Sequence, residues 1–113
     1  MELLMGLDQY AFARIGDQDI EIAYWRKHAN LEGWMADLYS VKHGGGELFN
    51  CKELALDKHD LKMLEQDYRS LPTAAGFFWG ESIKDDDKTV AEFIDTARIL
   101  IESGHTIIYT SWW

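Results

Sequence analysis

The sequence predicts an α+β fold, in which a small, mostly antiparallel sheet of four to five strands carries about three packed helices. Three observations predict it. Two period-two segments near the start are separated by a four-residue turn, three later segments have helical spacing of apolar residues, and the chain closes on another period-two segment. Strands and helices do not alternate regularly, so a doubly wound parallel sheet is not favoured.

The first two strands form a predicted hairpin. Residues 6–15, GLDQYAFARI, alternate two sets of side chains, one containing Leu7 and the other containing Asp8. Residues 16–19, GDQD, have turn chemistry, and residues 20–25, IEIAYW, alternate again. The pair predicts antiparallel strands joined by a short turn.

The first helix is predicted over Lys27–Lys42, with an inner stripe at helical spacing. The stripe consists of Leu31, Trp34, Met35 and Leu38. The glycine-rich HGGG at residues 43–46 ends the helix. A third strand is expected within residues 47–56, ELFNCKELAL, and shorter than that run.

The second helix is predicted to begin at Asp57, where Asp60 three residues later imitates a capping box. Its inner face carries Leu61, Leu64 and Tyr68, and LPTAAG ends it. Residues 76–80, GFFWG, follow as a strand or a pocket wall.

The third helix has two alternative starts, a capping box of Thr89 with Glu92 or a cap at Asp87, and it is predicted to stop at Gly104. Residues 105–112, HTIIYTSW, are the last predicted strand. Because side chains alternate along a strand, Trp112 and Trp113 cannot serve one face of the sheet. We expect one to close the core and the other to meet a neighbouring subunit or a planar ligand.

Length and charge limit the classes of partner. With 113 residues we expect a single domain over 1–113. A net charge of −9 disfavours nucleic-acid polymers and anionic membrane surfaces, although a local basic cluster still allows a small anionic ligand. No signal peptide or apolar membrane-spanning run is present in the sequence, which predicts a cytoplasmic protein.

No motif predicts catalysis, a metal or a cofactor. The single cysteine, Cys51, has no disulfide partner, and the four histidines lack metal-ligand spacing. The KHGGGEL segment lacks the spacing of a phosphate-binding loop. Acid or base candidates exist at Glu21, His28, Asp37 and Glu81, but no set of nucleophile, base and orienting group can be assembled from them. We therefore expect a protein that is not an enzyme and has no cofactor or metal.

The strongest binding candidate is AYWRKH, residues 23–28. Strand geometry places Tyr24 and Trp25 on opposite faces. Arg26, Lys27 and His28 form the densest basic cluster and lie near a helix start, where free N–H groups favour anions. An indole beside cations suits a planar anionic molecule such as a nucleotide. The alternative is a core aromatic pair with a solvated basic rim.

Further aromatic residues extend this candidate site. GFFWGES adds Phe78 and Trp79, the chain end adds two indoles, and Arg14 lies on the strand that pairs with AYWRKH. The predicted ligand-binding residues are Arg14, Tyr24, Trp25, Arg26, Lys27, Phe78, Trp79, Trp112 and Trp113. A small domain with surplus aromatic side chains is also expected to form a homo-oligomer, most simply a two-fold dimer.

Several segments resemble one family over nearly the whole chain. GLDQYAFAR, EIAYWRKH, LEGWMADLY, LP..AGFFWG, FI..AR and the terminal YTSWW are similar to small, uncharacterised proteins encoded by tailed bacteriophages, including phages of cyanobacteria. Some members are labelled phosphoglycerate kinase. That label does not fit, because 113 residues cannot build a two-domain kinase cleft and no phosphate-binding loop with its lysine is present.

The resemblance implies a phage accessory protein that acts in the cytoplasm of an infected bacterium. In that setting two functions are expected. One is a non-enzymatic counter-defence protein that sequesters a small anionic planar ligand, such as a signalling nucleotide. The other is an acidic inhibitor or host-takeover factor that docks on a host protein through an apolar patch and acidic residues such as Asp85, Asp86 and Asp87.

Overall fold

The structure, a computed structural model, describes residues 6–45, 49–71 and 87–113. In these residues four strands form one antiparallel sheet and three helices pack on it, which confirms the predicted fold class. The strands are β1 (Asp8–Ile15), β2 (Gln18–Arg26), β3 (Glu53–Leu56) and β4 (Thr106–Trp112). The helices are α1 (Ala29–His43), α2 (Lys58–Asp67) and α3 (Asp87–Glu102), and a 3₁₀ turn, Tyr68–Ser70, follows α2.

The strand order across the sheet is β2-β1-β4-β3, so the two strands from the chain's beginning and end lie side by side in its middle. The predicted β1–β2 hairpin is confirmed, with Gly16 at φ +62° in its turn. Its register shifts between Ala11 and Phe12, which is a β-bulge that bends β2 locally.

One face of the sheet carries the core. Inward side chains of β1 and β4, such as Ala11 and Tyr109, are fully buried, and those of β3 include Leu54. The buried cluster joins them to Leu61 of α2 and Phe93 of α3. The helices therefore cover the inward face, and no described helix packs on the opposite, outward face.

Helix α1 differs from the prediction in its inner stripe. Its buried residues are Ala29, Leu31, Glu32, Met35 and Tyr39. Trp34 and Leu38, which were predicted to face inward, are only half-buried. The stripe is rotated because Leu31, Met35 and Tyr39 recur every four residues and carry Glu32 inward with them.

The segment around β3 and α2 follows the prediction in part. The strand is short, and it begins only at Glu53, because Cys51 before it is exposed with φ +61°. The capping box at α2 is confirmed: the Asp57 carboxylate accepts from the Asp60 N–H at 2.8 Å, and the Asp60 carboxylate accepts from the Asp57 N–H at 2.9 Å.

Helix α3 corrects one expectation. It already includes Asp87, so neither the Thr89–Glu92 capping box nor a cap at Asp87 begins it. The helix ends at Glu102, and Gly104 follows with φ +92°, as the predicted stop requires. The GFFWG segment lies outside the described residues.

Candidate functional site

The two aromatic residues of AYWRKH lie on opposite faces, as predicted. Tyr24 is 43% exposed on the outward face. Trp25 is 2% exposed, and its ring packs edge-on against Phe93 of α3 with centroids 5.3 Å apart. The expectation that Trp25 stacks on a ligand is therefore wrong for this fold, because the core already covers its indole. The alternative of a core aromatic pair with a solvated basic rim holds for Trp25 and not for Tyr24, which is exposed.

On the outward face, three residues from three adjacent strands share one register position at the end of the sheet. Asp8 of β1 pairs with Arg26 of β2 on one side and with Trp112 of β4 on the other. We call this set the Asp8 row. Arg26 is exposed and has no ion pair among the described residues, and Trp112 is 66% exposed. An indole, a carboxylate and a guanidinium are thus presented side by side.

Tyr24 connects the Asp8 row to the next register position. Its hydroxyl donates to Asp8 Oδ1 at 2.7 Å, and this hydrogen bond is the main reason that the pKa of Tyr24 is raised. Its ring contacts Tyr10, with centroids 5.3 Å apart, and Tyr10 stacks on Phe12 at 6.1 Å. The Asp8 carboxylate is therefore held in place by Tyr24, and a strip of aromatic rings continues from it along the outward face.

A shallow depression of about 220 Å³ lies at this end of the sheet, lined by Gly6, Asp8, Trp112 and Trp113. Its volume is below the roughly 300–1,000 Å³ of typical small-molecule pockets. The depression suits one flat ring system resting on an indole rather than a fully enclosed ligand.

Arg14 lies at the other end of β1, six residues from Asp8, which is about 20 Å along a strand. Its guanidinium pairs with Asp19 at 2.7 Å and reaches Glu53 at 3.2 Å, and the hydrogen bonds to these carboxylates raise its pKa. Its charge is already matched, and the structure does not bring it together with Arg26. The expectation that Arg14 joins the site is therefore not supported by the fold.

The start of α1 is also less available than predicted. The His28 N–H donates to Gln9 Oε1 at 2.8 Å, and His28 Nδ1 accepts from the Leu31 N–H at 3.3 Å. The backbone N–H of Lys27 donates to the Leu7 carbonyl at 2.9 Å. These groups are used internally, so the expected anion site at this helix start has no support. Lys27 itself is half-buried, with φ +60°.

The remaining site predictions divide as follows. Trp113 is half-buried, and Asn50 holds its backbone: Trp113 N–H donates to Asn50 Oδ1 at 2.9 Å, and Asn50 Nδ2 donates to the Trp113 carbonyl at 2.8 Å. Phe78 and Trp79 lie outside the described residues. Of the acid or base candidates, Glu21 and Asp37 are exposed, His28 caps α1, and Glu81 is not described.

The sequence did not predict a buried polar network behind the Asp8 row. Glu32 of α1, which is fully buried, accepts three hydrogen bonds. The donors are Tyr109 Oη at 2.6 Å, Ser111 Oγ at 2.8 Å and Trp113 Nε1 at 3.2 Å. Gln9 extends the network by donating to the Tyr109 hydroxyl at 2.8 Å and to the His28 carbonyl at 3.0 Å. The network joins α1 to β1, β4 and the last residue.

Burial has the largest effect on the pKa values of Glu32 and Tyr109 in this network. It raises the pKa of Glu32, against the opposing effect of its three donors, and together with the neighbouring Glu32 charge it raises the pKa of Tyr109 well above 10. The three donors to Glu32 are neutral groups of the chain itself, and its side chain is fully buried. This arrangement fixes the position of β4 and the chain end, and it does not present Glu32 to a substrate.

Within residues 6–45, 49–71 and 87–113, no group of three His, Cys, Asp or Glu side chains is placed to hold a metal ion. No helix in those ranges has the length and apolarity needed to cross a bilayer.

Comparison with known proteins adds no relative: no protein-family model matches the chain, and neither the curated proteins nor the solved structures gave a match.

Proposed function

We propose that the chain is a non-catalytic binding protein that holds a planar, phosphate-bearing ligand of the nucleotide class on the Asp8 row. One observation carries the proposal: an exposed indole, Trp112, and an exposed guanidinium without a described ion pair, Arg26, flank the same carboxylate on an open sheet face. Adjacent strands lie about 4.8 Å apart, so the two flanking residues are separated by about 10 Å. A base and its phosphate can span that distance through one sugar.

Each residue has a distinct role in this proposal. Trp112 stacks on the base, which any aromatic ring system can do. Asp8 accepts hydrogen bonds from N–H groups at the edge of the base, and Tyr24 holds its carboxylate in position. Arg26 pairs with the phosphate. The Asp8 charge repels phosphate from the centre of the row and directs it to the β2 edge, where Arg26 lies.

The biological setting is part of the same proposal. We propose a phage accessory protein that acts in an infected bacterium by sequestering a signalling nucleotide. The setting is supported by the sequence resemblance alone. The role of a sequestering protein, rather than of an enzyme, is supported by the chemistry of the Asp8 row, which offers stacking, acceptor and cationic groups for binding.

Calorimetric titration tests the binding site. The probes are adenosine and guanosine monophosphates, their cyclic forms and cyclic dinucleotides. At least one is expected to bind the wild type, and Trp112→Ala is expected to weaken it about tenfold or more, because base stacking is worth about 1–3 kcal/mol. Arg26→Gln is expected to weaken the nucleotide but not the matching nucleoside.

Two control variants match these changes. Ile99→Ala removes another exposed apolar side chain, 64% exposed on α3, and Arg69→Gln removes another exposed arginine. Both are expected to bind as the wild type does. If no probe gives a heat of binding with a sample whose cooperative thermal transition shows that it is folded, the proposal is wrong.

The exposure of Trp112 also favours a second use of this face, as a contact between two copies of the chain. In that case light scattering detects a dimer at micromolar concentration, and Trp112→Ala shifts it to monomer. If the wild type is a monomer at that concentration, the dimer contact is contradicted, and the proposed nucleotide binding is unaffected.

A further inference from the structure

A second exposed surface lies between α1 and α2, on the side of the molecule that carries the helices. The two helices border a groove of about 460 Å³, which we call the α1–α2 groove. Its apolar lining consists of Trp34, Leu38 and Val41 from α1 and Met63 from α2. Trp34 and Leu38 also pack partly against the hydrophobic core, and the groove is separate from the Asp8 row.

Two of the four apolar lining side chains are exposed, whereas Trp34 and Leu38 are half-buried. Val41 is 81% exposed and Met63 is 38% exposed. Trp34, Leu38 and Val41 follow one another at i, i+4 and i+7, so they form one stripe along α1 over two helical turns. An apolar stripe of this kind normally packs against another helix. Met63 of α2 forms the opposite wall, so the two helices border a groove that can bind a helix.

The groove is held open at both ends by polar contacts between the helices. At one end Trp34 Nε1 donates to Asp67 Oδ2 at 3.0 Å. At the other end Lys42 pairs with Asp60, whose carboxylate also closes the capping box of α2. Because α1 and α2 are tied at both ends, the groove is preformed and its occupant does not have to open it.

The charges around the groove decide what occupies it. Its polar lining consists of the exposed Asp37, the imidazole of His59 and the Lys42–Asp60 ion pair, and the carboxylate of Asp67 lies beside the Trp34 end, where it accepts from the indole N–H. Asp37 is exposed and has no ion pair among the described residues. A second copy of this chain, with its net charge of −9, would bring an acidic rim against an acidic rim.

We propose that the α1–α2 groove docks a basic amphipathic helix of a partner protein. The stripe from Trp34 to Val41 is about 10 Å long at 1.5 Å per residue, so it accepts two turns of a partner helix. The partner's apolar residues at i, i+3, i+4 and i+7 enter the groove, and its lysine or arginine residues lie over Asp37 and Asp67.

The test uses a model helix of about 16 residues, long enough to be helical, with leucine at i, i+3, i+4 and i+7 and lysine elsewhere. A second peptide has the same leucines with glutamate in place of lysine. Calorimetry is expected to show binding of the lysine peptide alone. Val41→Asp is expected to weaken that binding about tenfold, since burying a carboxylate against the apolar lining of the groove is unfavourable.

The matched control is Ile99→Asp, which places the same charge at an exposed apolar position of α3 and is expected to leave binding within about twofold. Both variants add negative charge, so attraction to the net charge alone would strengthen binding in each. Met63→Gln is a second groove variant without a charge change, and it is expected to weaken binding as well. Thermal unfolding verifies that each variant is folded.

Three results would overturn the proposal. One is equal binding of the lysine peptide by wild type, Val41→Asp and Met63→Gln. Another is equally tight binding of the glutamate peptide. The third is a wild-type dimer in light scattering that Val41→Asp dissociates, which identifies a second copy of the chain as the occupant.

Discussion

The indole Nε1 of Trp113 donates a hydrogen bond to Oε2 of Glu32 at 3.2 Å, so the side chain that follows β4 is tied to the first turn of α1. Asn50 holds the Trp113 backbone by two further hydrogen bonds. Its neighbour Trp112 lies on the other face and is 66% exposed. The two adjacent tryptophans therefore have different roles, one in the fold and one on the surface.

The first prediction separates these roles. Trp113→Ala removes a half-buried indole and one donor to buried Glu32, so it is expected to lower the free energy of unfolding by about 1–3 kcal/mol. Trp112→Ala is expected to lower it by less than about 1 kcal/mol, because the side chain is mostly in water. Urea denaturation of both variants measures the difference, and equal losses would contradict it.

The second prediction concerns the two tyrosine hydroxyls of the site region. Tyr109→Phe leaves Glu32 without one donor and Gln9 without one acceptor in a fully buried position, at a cost of about 1–3 kcal/mol for each unsatisfied group. Tyr24→Phe is the matched control: its hydroxyl bonds to Asp8 near solvent, so water replaces it and the cost stays below about 1 kcal/mol. The reverse order of the two losses would refute the structural role of the buried network.

The third prediction is a pH dependence at Glu32. Burial raises its pKa above the ordinary value of 4.5, so the folded protein keeps a proton that the unfolded chain has already lost. The contribution of Glu32 to stability is therefore largest below pH 4.5, and it falls as pH rises through the raised pKa. Glu32→Gln cannot titrate, so stability of the wild type minus that of the variant is expected to decrease from pH 4 towards pH 8. Denaturation series at fixed pH values measure this difference, and an increase with pH would contradict it.

The fourth prediction has the opposite sign. The hydrogen bond from the Asp60 N–H is the main cause that lowers the pKa of Asp57 below 3.8, so its stabilising contribution is present above pH 3.8 and is lost as pH falls through the lowered value. Asp57→Ala is expected to cost about 1 kcal/mol at pH 7 and less at pH 2. Asp57→Ser, which keeps a capping oxygen, is expected to recover most of the loss without the pH dependence. A cost of Asp57→Ala that does not shrink in acid would count against the cap.

The elements with strong local signals could be predicted from the sequence. Alternation gave the β1–β2 hairpin and the opposite orientations of Trp112 and Trp113, and side-chain chemistry gave the Asp57 cap. The inner stripe of α1 was predicted in part: Leu31 and Met35 are buried. Trp34 and Leu38 were expected beside them because they are as apolar as Met35, and periodicity alone does not reveal which flank of the stripe faces the sheet.

The site was less predictable, because it depends on strand register. The basic and aromatic residues of AYWRKH made it the binding candidate, and that stays a prediction, but Trp25 belongs to the core and Arg14 is matched by Asp19 and Glu53. Asp8 became a candidate only when the pairing placed it between Arg26 and Trp112. One feature of the sequence could have predicted the burial of Glu32: it lies between Leu31 and Met35, on a stripe whose other residues are buried.

The most direct test of the Asp8 row is a proton–nitrogen NMR spectrum of the five indole N–H groups, recorded during addition of a nucleotide that binds in calorimetry. The indoles have distinct environments: Trp34 bonds to Asp67, Trp113 bonds to Glu32, Trp25 is buried, and Trp112 is exposed. We expect the Trp112 signal, assigned by its loss in Trp112→Ala, to shift until the nucleotide saturates the protein, while the signals of Trp25 and Trp34 stay fixed. A shift confined to Trp34, or an unmoved Trp112 signal at saturation, would contradict it.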